Sequence, residues 1–204
     1  MEHRLRTPIG EQEIRRLRVG DLVLVDGLVV TLRDAGHKRA IEYLRSGMRL
    51  PIDLEGLVLY HMGPVVRMDE RGWEIVAAGP TTSARLEAYE PELIERTGIR
   101  LIVGKGGMGA KTAEACRRFG AAYAIYPGGA GALAAEAIEG IEVVEWLDLG
   151  IPEAMWVLRV RNFGPLMITI DSAGRNFYEE KRRVVEENMR KAMDLMGRPP
   201  PYPE

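Results

Sequence analysis

Three segments of this sequence combine residue types suited to substrate binding and proton transfer, and each lies where an extended run gives way to a helical pattern. The first is Gly79-Pro80-Thr81-Thr82-Ser83-Ala84-Arg85. On a helix that begins this early, Thr81 and Arg85 are about 40° apart, so hydroxyl and guanidinium converge. Such a pair suits a carboxylate substrate, because arginine offers a planar fork of donors. The alternative is an N-cap, in which a hydroxyl accepts from the first helical turn.

The second segment, Gly104-Lys105-Gly106-Gly107-Met108-Gly109, fits G-x-G-x-x-G between a strand and a helix. A dinucleotide site also requires an acidic residue at the end of the next strand, which here ends Ala124-Ile125-Tyr126-Pro127. A P-loop is excluded because Lys105 is followed by glycine. The remaining functional interpretation is a lysine on a glycine-rich turn whose backbone amides could bind an anion at the helix N-terminus. A plain turn with an exposed lysine is the alternative, and a nucleotide- or phosphate-binding protein using residues 104–109 is the rival function.

The third segment is Arg33-Asp34-Ala35-Gly36-His37-Lys38-Arg39. Five of its seven side chains are charged or ionisable. They could form a substrate site, but they fit equally a solvated helix start with Asp34 as the cap. His37 by itself is weak evidence for a catalytic base, and His3 and His61 lie too far along the chain to suggest a shared metal site. We therefore predict no metal ligand in this chain. The small residues Gly128-Gly129 permit another part of the chain to approach closely.

Length and composition limit the class of protein. The 204 residues suffice for one domain with a modest appendage, and 28 Lys and Arg against 30 Asp and Glu give no basic field for nucleic acid. The only cysteine, Cys116, excludes an internal disulfide and a cysteine-only metal site within this chain. No stretch approaches the roughly 18 apolar residues of a membrane span. We expect a cytoplasmic protein that contacts neither membrane nor nucleic acid.

Hydrophobic periodicity predicts an α/β fold. Residues 22–30 form an extended run interrupted at Asp26-Gly27, typical of a hairpin or a bulged strand pair. From Thr81 onward helices (83–96, 111–119, 130–138) alternate with strands (99–103, 121–126, 141–146), which indicates crossover units and a partly parallel sheet. A final strand over 156–171 has an interruption at 162–165. The pattern then predicts a charged helix over 177–197 and a proline-rich tail over 198–204.

Seven motifs occur in an order that resembles the beta subunit, or C-terminal domain, of class I fumarate hydratases and L-tartrate dehydratases. The resemblance covers about residues 18–178, and the Gly-Pro-Thr-Thr-Ser-x-Arg element is its most specific part. Leu32 stands where that family is expected to have glycine before Arg33. The motifs are Arg33-Asp34-Ala35-x-His37-Lys38, Gly63-Pro64, Ala78-Gly79-Pro80-Thr81-Thr82-Ser83-x-Arg85, Gly104-Lys105-Gly106, Gly128-Gly129, Leu149-Gly150-x-x-Glu153-Ala154 and Asp171-x-x-Gly174-x-x-Phe177-Tyr178.

The resemblance implies a swivelling β/β/α domain over residues 1–176, with a mixed sheet, and a hydro-lyase activity. It implies reversible hydration of fumarate to malate, with L-tartrate dehydration as the alternative. A [4Fe-4S] cluster is then held by a separate alpha subunit of a hetero-oligomer such as α2β2, and the substrate is a dicarboxylate. The roles it implies are Thr81 as catalytic base, Arg33, Arg85 and Lys105 as substrate-binding residues, and His37, Thr82 and Ser83 as supporting residues behind them.

Overall fold

The computed structural model describes residues 1–70 and 72–196. The predicted proline-rich tail, 198–204, lies outside the described residues. The strands are β1 Glu2–Arg6, β2 Leu22–Thr31, β3 Val58–Tyr60, β4 Val65–Asp69, β5 Gly72–Ala77, β6 Leu101–Gly104, β7 Ala122–Ile125, β8 Ile138–Glu145 and β9 Met155–Ile170. The α-helices are α1 Glu11–Ile14, α2 Asp34–Arg45, α3 Glu90–Thr97, α4 Ala110–Phe119, α5 Gly131–Glu136 and α6 Phe177–Met196. Two 3-10 helices cover Ser83–Leu86 and Leu147–Leu149. None of the described helices is long and apolar enough to cross a membrane.

Seven strands form one mixed sheet in the order β1-β2-β3-β6-β7-β9-β8. Strands β1, β2, β3, β6 and β7 pair in parallel, whereas β9 runs antiparallel to its neighbours. An additional antiparallel pairing between β2 and β9 closes β2, β3, β6, β7 and β9 into a ring. The carboxyl ends of β2, β3 and β6 therefore meet at one rim. The predicted α/β class with a mixed sheet and a C-terminal helix is confirmed.

Alternate residues of the ring strands face two different cores, as a side-chain period of two requires. Val58 and Tyr60 of β3 belong to the core shared by the ring strands, and Leu59 between them belongs to the core beneath the helices. Strand β6 repeats this division with Leu101 and Ile102. The second core includes Ile41 of α2, Leu93 of α3 and Cys116 of α4. Those three helices are thus fixed on the outside of the ring.

Of the two alternatives predicted at Asp26-Gly27, the hairpin is wrong and the bulged strand is confirmed, because β2 continues through both residues and pairs with β9 across register shifts. Asp26 accepts a hydrogen bond from the backbone amide of Asn162 at 2.7 Å. Gly27 has φ +105°, and a Cβ there would lie 2.4 Å from Thr7 Oγ1. The interruption predicted at 162–165 is likewise part of the continuous strand β9, opposite register shifts in β2.

The helix predicted over 83–96 is divided into two helices. A 3-10 helix ends at Leu86, and α3 begins at Glu90 with Pro91 in its first turn. Proline fits that position because the first amides of a helix have no partner within it. Strand β8 begins at Ile138, inside the region predicted as helical, and the sequence patterns did not predict β1 or β4.

The bulge at Gly27 provides a test of the fold. We expect Gly27→Ala to lower the free energy of unfolding by more than the roughly 1–2 kcal/mol that a left-handed conformation alone costs a non-glycine residue, because the added methyl also meets Thr7. Gly20→Ala is the matched control, since Gly20 has φ +92° and open space around its Cβ position. Urea denaturation of both variants measures the difference. Equal losses would show that the close approach to Thr7 contributes nothing.

Candidate active site

The three segments singled out in the sequence come together at the rim where the parallel strands end. The Leu32 amide donates to the Tyr60 carbonyl at 3.2 Å, and the His61 amide donates to the Val103 carbonyl at 2.8 Å. Thr81 joins this edge through its amide, which donates to the His61 carbonyl at 2.7 Å. The Lys105 amide then donates to the Thr81 carbonyl at 3.1 Å. Backbone hydrogen bonds thus place Thr81 between the ends of β3 and β6.

Thr81 and Arg85 converge as expected, although they share no α-helix. Arg85 Nη2 donates to Thr81 Oγ1 at 3.1 Å. The fork of the same guanidinium binds Asp34, with Nε to Oδ1 at 3.0 Å and Nη2 to Oδ2 at 2.8 Å. The hydrogen bond from Arg85 lowers the pKa of Asp34, and burial of Asp34 only partly opposes it. Asp34 therefore orients Arg85 toward the Thr81 hydroxyl, a contact that the sequence did not reveal.

The N-cap alternative for the three hydroxyls is not supported. Thr82 occupies the N-cap position of the 3-10 helix without a side-chain capping bond, and its side chain is exposed. Ser83 is buried and lies 2.9 Å from His61 Nδ1. The Thr81 hydroxyl is partly exposed and bonded to Arg85. Each hydroxyl thus has a different environment. Of the three, only the Thr81 hydroxyl is both accessible to a substrate and hydrogen-bonded to a cation.

Arg33 ends the segment that follows β2, and its side chain is pressed against backbone. Its Nε lies 3.4 Å from Glu153 Oε1, is buried and makes no hydrogen bond with the described residues. A Cβ at Gly63 would lie 2.8 Å from Arg33 Cδ and 2.3 Å from the Pro152 carbonyl oxygen, so only glycine fits there. Glu153 Oε2 accepts from the Ala35 amide at 2.8 Å, in the first turn of α2. The predicted cap, Asp34, instead binds Arg85.

Lys105 is exposed at the rim, and within the described part of the chain its ammonium has neither a hydrogen bond nor an ion pair. Its side chain passes along Gly128, where a Cβ would lie 3.3 Å from Lys105 Cδ. The loop that carries it is fixed from behind, because Tyr123 donates to the Gly106 carbonyl at 3.0 Å and Asn176 donates to the Met108 carbonyl at 2.9 Å. Lys105 is therefore a cation on a rigid loop, available to an anionic ligand.

Glu87 already fills the helix N-terminus that the glycine-rich loop opens. Its carboxylate accepts from the Gly109 amide at 2.7 Å, the Thr112 amide at 3.0 Å and the Thr112 hydroxyl at 2.8 Å. Phosphate groups bind helix N-termini through these same free amides and the helix dipole. An internal carboxylate in that place argues against a nucleotide or phosphate site at residues 104–109.

Behind the rim lies a fully buried network of two histidines and a glutamate. His37 Nε2 lies 3.2 Å and His61 Nε2 3.0 Å from the same oxygen of Glu90, and the two imidazole rings are 5.1 Å apart. The fold thus brings together two histidines whose separation along the chain gave no indication of a shared site. Burial lowers the pKa of His61. Burial alone would raise the pKa of Glu90, but the two histidines outweigh it and lower that pKa.

Cys116 does not fit a cluster ligand. The thiol is fully buried in the core beneath the helices, and burial raises its pKa, whereas an iron ligand must be a thiolate. One cysteine also cannot supply the several thiolates that such a cluster needs. An iron-sulfur cluster that acted with this site would need thiolates from outside this sequence.

Comparison with known proteins agrees with this geometry. Residues 2–181 match the family described as Fumarase C-terminus. The chain belongs to that family. It is 46% identical over 187 residues to the L(+)-tartrate dehydratase subunit beta of Escherichia coli (strain K12), covering 92% of each chain. It is 41% identical over 188 residues to a putative L(+)-tartrate dehydratase subunit beta of Methanocaldococcus jannaschii, covering 92% of this chain and 96% of that one.

A third relative is organised differently. The putative fumarate hydratase class I of Geobacillus stearothermophilus is 46% identical over 177 residues, which are 86% of this chain but 33% of that protein. The relatives are thus named for hydro-lyases, as the motif order indicated. This member of the Fumarase C-terminus family thus aligns with nearly all of the tartrate dehydratase beta subunits and with one third of the longer putative fumarate hydratase.

The capping role of Glu87 gives a test of the nucleotide alternative. We expect the purified chain to show no saturable binding of ATP or NAD in isothermal titration calorimetry, because the α4 amides are occupied. We also expect Glu87→Ala to lower the free energy of unfolding by about 1.5–3 kcal/mol, the range for hydrogen bonds to a charged group. Glu114→Ala is the control, since Glu114 is an exposed α4 residue paired with Arg117. Saturable nucleotide binding by the parent would restore the rival function.

Proposed function

We propose that this chain is the beta subunit of a [4Fe-4S]-dependent hydro-lyase that hydrates fumarate to malate reversibly. The observation that carries the proposal is the contact of Arg85 with the Thr81 hydroxyl, at the rim where Lys105 has no partner among residues 1–70 and 72–196. Membership of the Fumarase C-terminus family supports the reaction class. The cluster is assigned to an alpha subunit, because Cys116 is unsuited to hold it, and the proposed assembly is a cytoplasmic α2β2 hetero-oligomer.

In this proposal Thr81 is the residue that moves the proton. Hydration adds the oxygen of water to one alkene carbon and a proton to the neighbouring carbon; in the reverse direction Thr81 Oγ1 removes that proton. A threonine hydroxyl is a weak acid, but a guanidinium that donates to Oγ1 favours the negatively charged oxygen. Arg85 is held for this purpose by Asp34. Thr82, Ser83 and His37 then support the site without contacting substrate.

The substrate carboxylates are proposed to bind Lys105, Arg33 and the remaining face of Arg85. The ammonium of Lys105 can bind an anion without breaking a contact to any described residue. Arg33 lies beside Glu153, but its buried Nε makes no hydrogen bond with the described residues and can donate one to a carboxylate. The fork of Arg85 is occupied by Asp34, so only Nη1, which has no bond to a described residue, is directly available. We infer that Arg85 serves Thr81 first and the substrate second.

L-tartrate is the second candidate substrate, and chain organisation favours it. The match covers 92% of the L(+)-tartrate dehydratase subunit beta but only a third of the putative fumarate hydratase. Tartrate dehydration requires the same proton removal next to a carboxylate. Both substrates therefore suit the same four residues, and a direct assay must separate them.

Reconstitution tests the proposal. We expect the chain alone to be colourless and inactive, because one buried cysteine cannot hold an iron-sulfur cluster. We expect the complex with its cluster-bearing alpha subunit to convert fumarate to malate, followed by the absorbance of fumarate, with L-tartrate assayed in parallel. Stoichiometric iron and hydratase activity in the isolated chain would contradict the two-subunit assignment. An active complex that uses only L-tartrate would replace fumarate by the second candidate.

The role of Thr81 is tested in the same complex. We expect Thr81→Ala to lower kcat at least about 100-fold, the lower range for loss of an acid-base group, with KM changed little. Thr82→Ala is the matched comparison, because Thr82 is the adjacent exposed threonine without a capping bond and is proposed only to support the site. It should lower kcat far less than Thr81→Ala does. Melting temperatures of both variants exclude unfolding as the cause. Retention of kcat in Thr81→Ala would remove this residue from the chemistry.

A further inference from the structure

The buried network behind the rim has a proton count that its hydrogen bonds determine. His37 Nδ1 lies 2.8 Å from the Arg33 carbonyl oxygen, which can only accept, so Nδ1 must carry hydrogen. His37 Nε2 faces a Glu90 oxygen at 3.2 Å. His61 Nε2 lies 3.0 Å from the same oxygen, and the lowered pKa of Glu90 makes it a carboxylate, which can only accept from the two rings. His37 thus stands between two acceptors and needs hydrogen on both ring nitrogens.

His61 differs from His37 because one of its neighbours can donate. The Ser83 hydroxyl lies 2.9 Å from His61 Nδ1, so a neutral ring with hydrogen on Nε2 satisfies both contacts. The direction of the pKa values agrees: burial keeps His61 neutral, and the pKa of Glu90 is lowered. The network therefore holds one negative charge, on Glu90, and one positive charge, which the hydrogen bonds assign to His37.

The two ends of this network lie on the segments that carry the proposed chemistry. One end is the carbonyl of Arg33, and the other is Ser83, two residues after Thr81. We propose that His37 carries two ring protons in an ion pair with Glu90, and that His37, Glu90 and His61 are positioning residues that fix the Arg33 segment against the Thr81 segment. The positioning part rests on the proposed function, whereas the protonation of His37 does not.

The network is isolated from water, which makes its charge state persistent. All three side chains are fully buried. The titratable groups that face it are Asp34 at the start of α2, Tyr89 before α3, Cys116 on α4 and Tyr123 on β7. Burial raises the pKa values of both Cys116 and Tyr123, so neither becomes a second anion near neutrality. Glu90 is the buried counterion of His37, and Asp34 lies at the partly exposed edge.

The same atoms would also suit a metal ion, which gives the inference a clear alternative. The ligand atoms of His37, His61 and Glu90 lie within 4.8 Å of one another, and the second oxygen of Glu90 is buried without a partner among the described residues. A metal requires unprotonated ligand nitrogens. A proton on Nε2 of either histidine therefore excludes it, and the two states are distinguishable by experiment.

Nitrogen NMR on the full chain with labelled histidine tests the protonation. Only His3, His37 and His61 contribute signals. We expect hydrogen on both ring nitrogens of His37 from pH 6 to pH 8 and on Nε2 alone of His61, with His3, which is partly exposed, as the internal reference. A neutral His37 in this range overturns the proposal. So does stoichiometric zinc or another divalent metal in the purified chain by elemental analysis.

Glu90→Gln in the assembled complex tests positioning, because the amide keeps the size of the side chain and removes its charge. A neutral amide can still bond both rings, so a purely structural role predicts little change in turnover. We expect His37 to lose its second proton and kcat to fall about tenfold with KM nearly unchanged, since small displacements of reacting groups are costly. Glu92→Gln on the same helix, which removes exposed ion pairs to Arg45 and Arg96, should keep the parent kcat.

The possible outcomes separate this inference from the proposed function. A Glu90→Gln complex with parental kcat overturns the positioning role. If Glu90→Gln does not fold, the NMR spectrum of the parent chain still decides the protonation of His37. If the parent complex neither hydrates fumarate nor dehydrates L-tartrate, the proposed function is wrong. The positioning role that rests on it is then overturned as well. The NMR measurement alone would then test the ion pair of His37 with Glu90.

Discussion

The pairing of β2 with β9 is the constraint on which the rest of this structure depends. It converts an open sheet into a ring, so that the carboxyl ends of β2, β3 and β6 form one rim. The connections that leave this rim carry the residues of the candidate site. Closure also separates two cores, and the outer core fixes α2, α3 and α4 against the ring. Side chains far apart in the sequence therefore meet with little freedom to move relative to one another.

Internal carboxylates occupy three positions at the rim that would otherwise attract an anion. Asp34 binds the fork of Arg85, Glu153 binds the first turn of α2, and Glu87 binds that of α4. Exposed ion pairs contribute little to stability, with a median of about 0–1 kcal/mol. Their effect here is to orient cations and to leave Lys105 without an internal partner among the described residues.

Sequence patterns predicted the fold class, the alternation after Thr81 and the convergence of Thr81 with Arg85. These features are local, because hydrophobic periodicity and residue spacing act over a few positions. The closing of β2 on β9 depends on pairings across more than a hundred residues. The meeting of His37 and His61 depends on the parallel pairing of β2 with β3, and no local pattern contains either pairing. The sequence could not choose between a hairpin and a bulged strand at Asp26-Gly27, because Asp-Gly is a strong turn signal whereas the contact of Asp26 with Asn162 is long-range.

The sequence motifs also contained residues whose purpose only the structure reveals. Glu153 was part of a motif without an assigned role, and it lies beside Arg33 while binding the Ala35 amide. Glu87 and Glu90 lay within a predicted helix and had no predicted role, because nothing in a single sequence distinguishes a buried acidic residue from an exposed one. A glutamate beside a proline, as in Glu90-Pro91, indicates a helix start, but it does not identify a partner for a histidine 53 residues away.

The burial of Cys116 has a practical consequence for measuring movement between subunits. Because the only thiol of the chain is enclosed and held protonated, it should react slowly with maleimide dyes and nitroxide reagents. A cysteine introduced at an exposed position of α5, such as Leu133→Cys, then becomes the single fast-labelling point on this chain. Distances from that point to a label on the proposed alpha subunit can be recorded without first removing a native cysteine of this chain, and they would report any movement between the two.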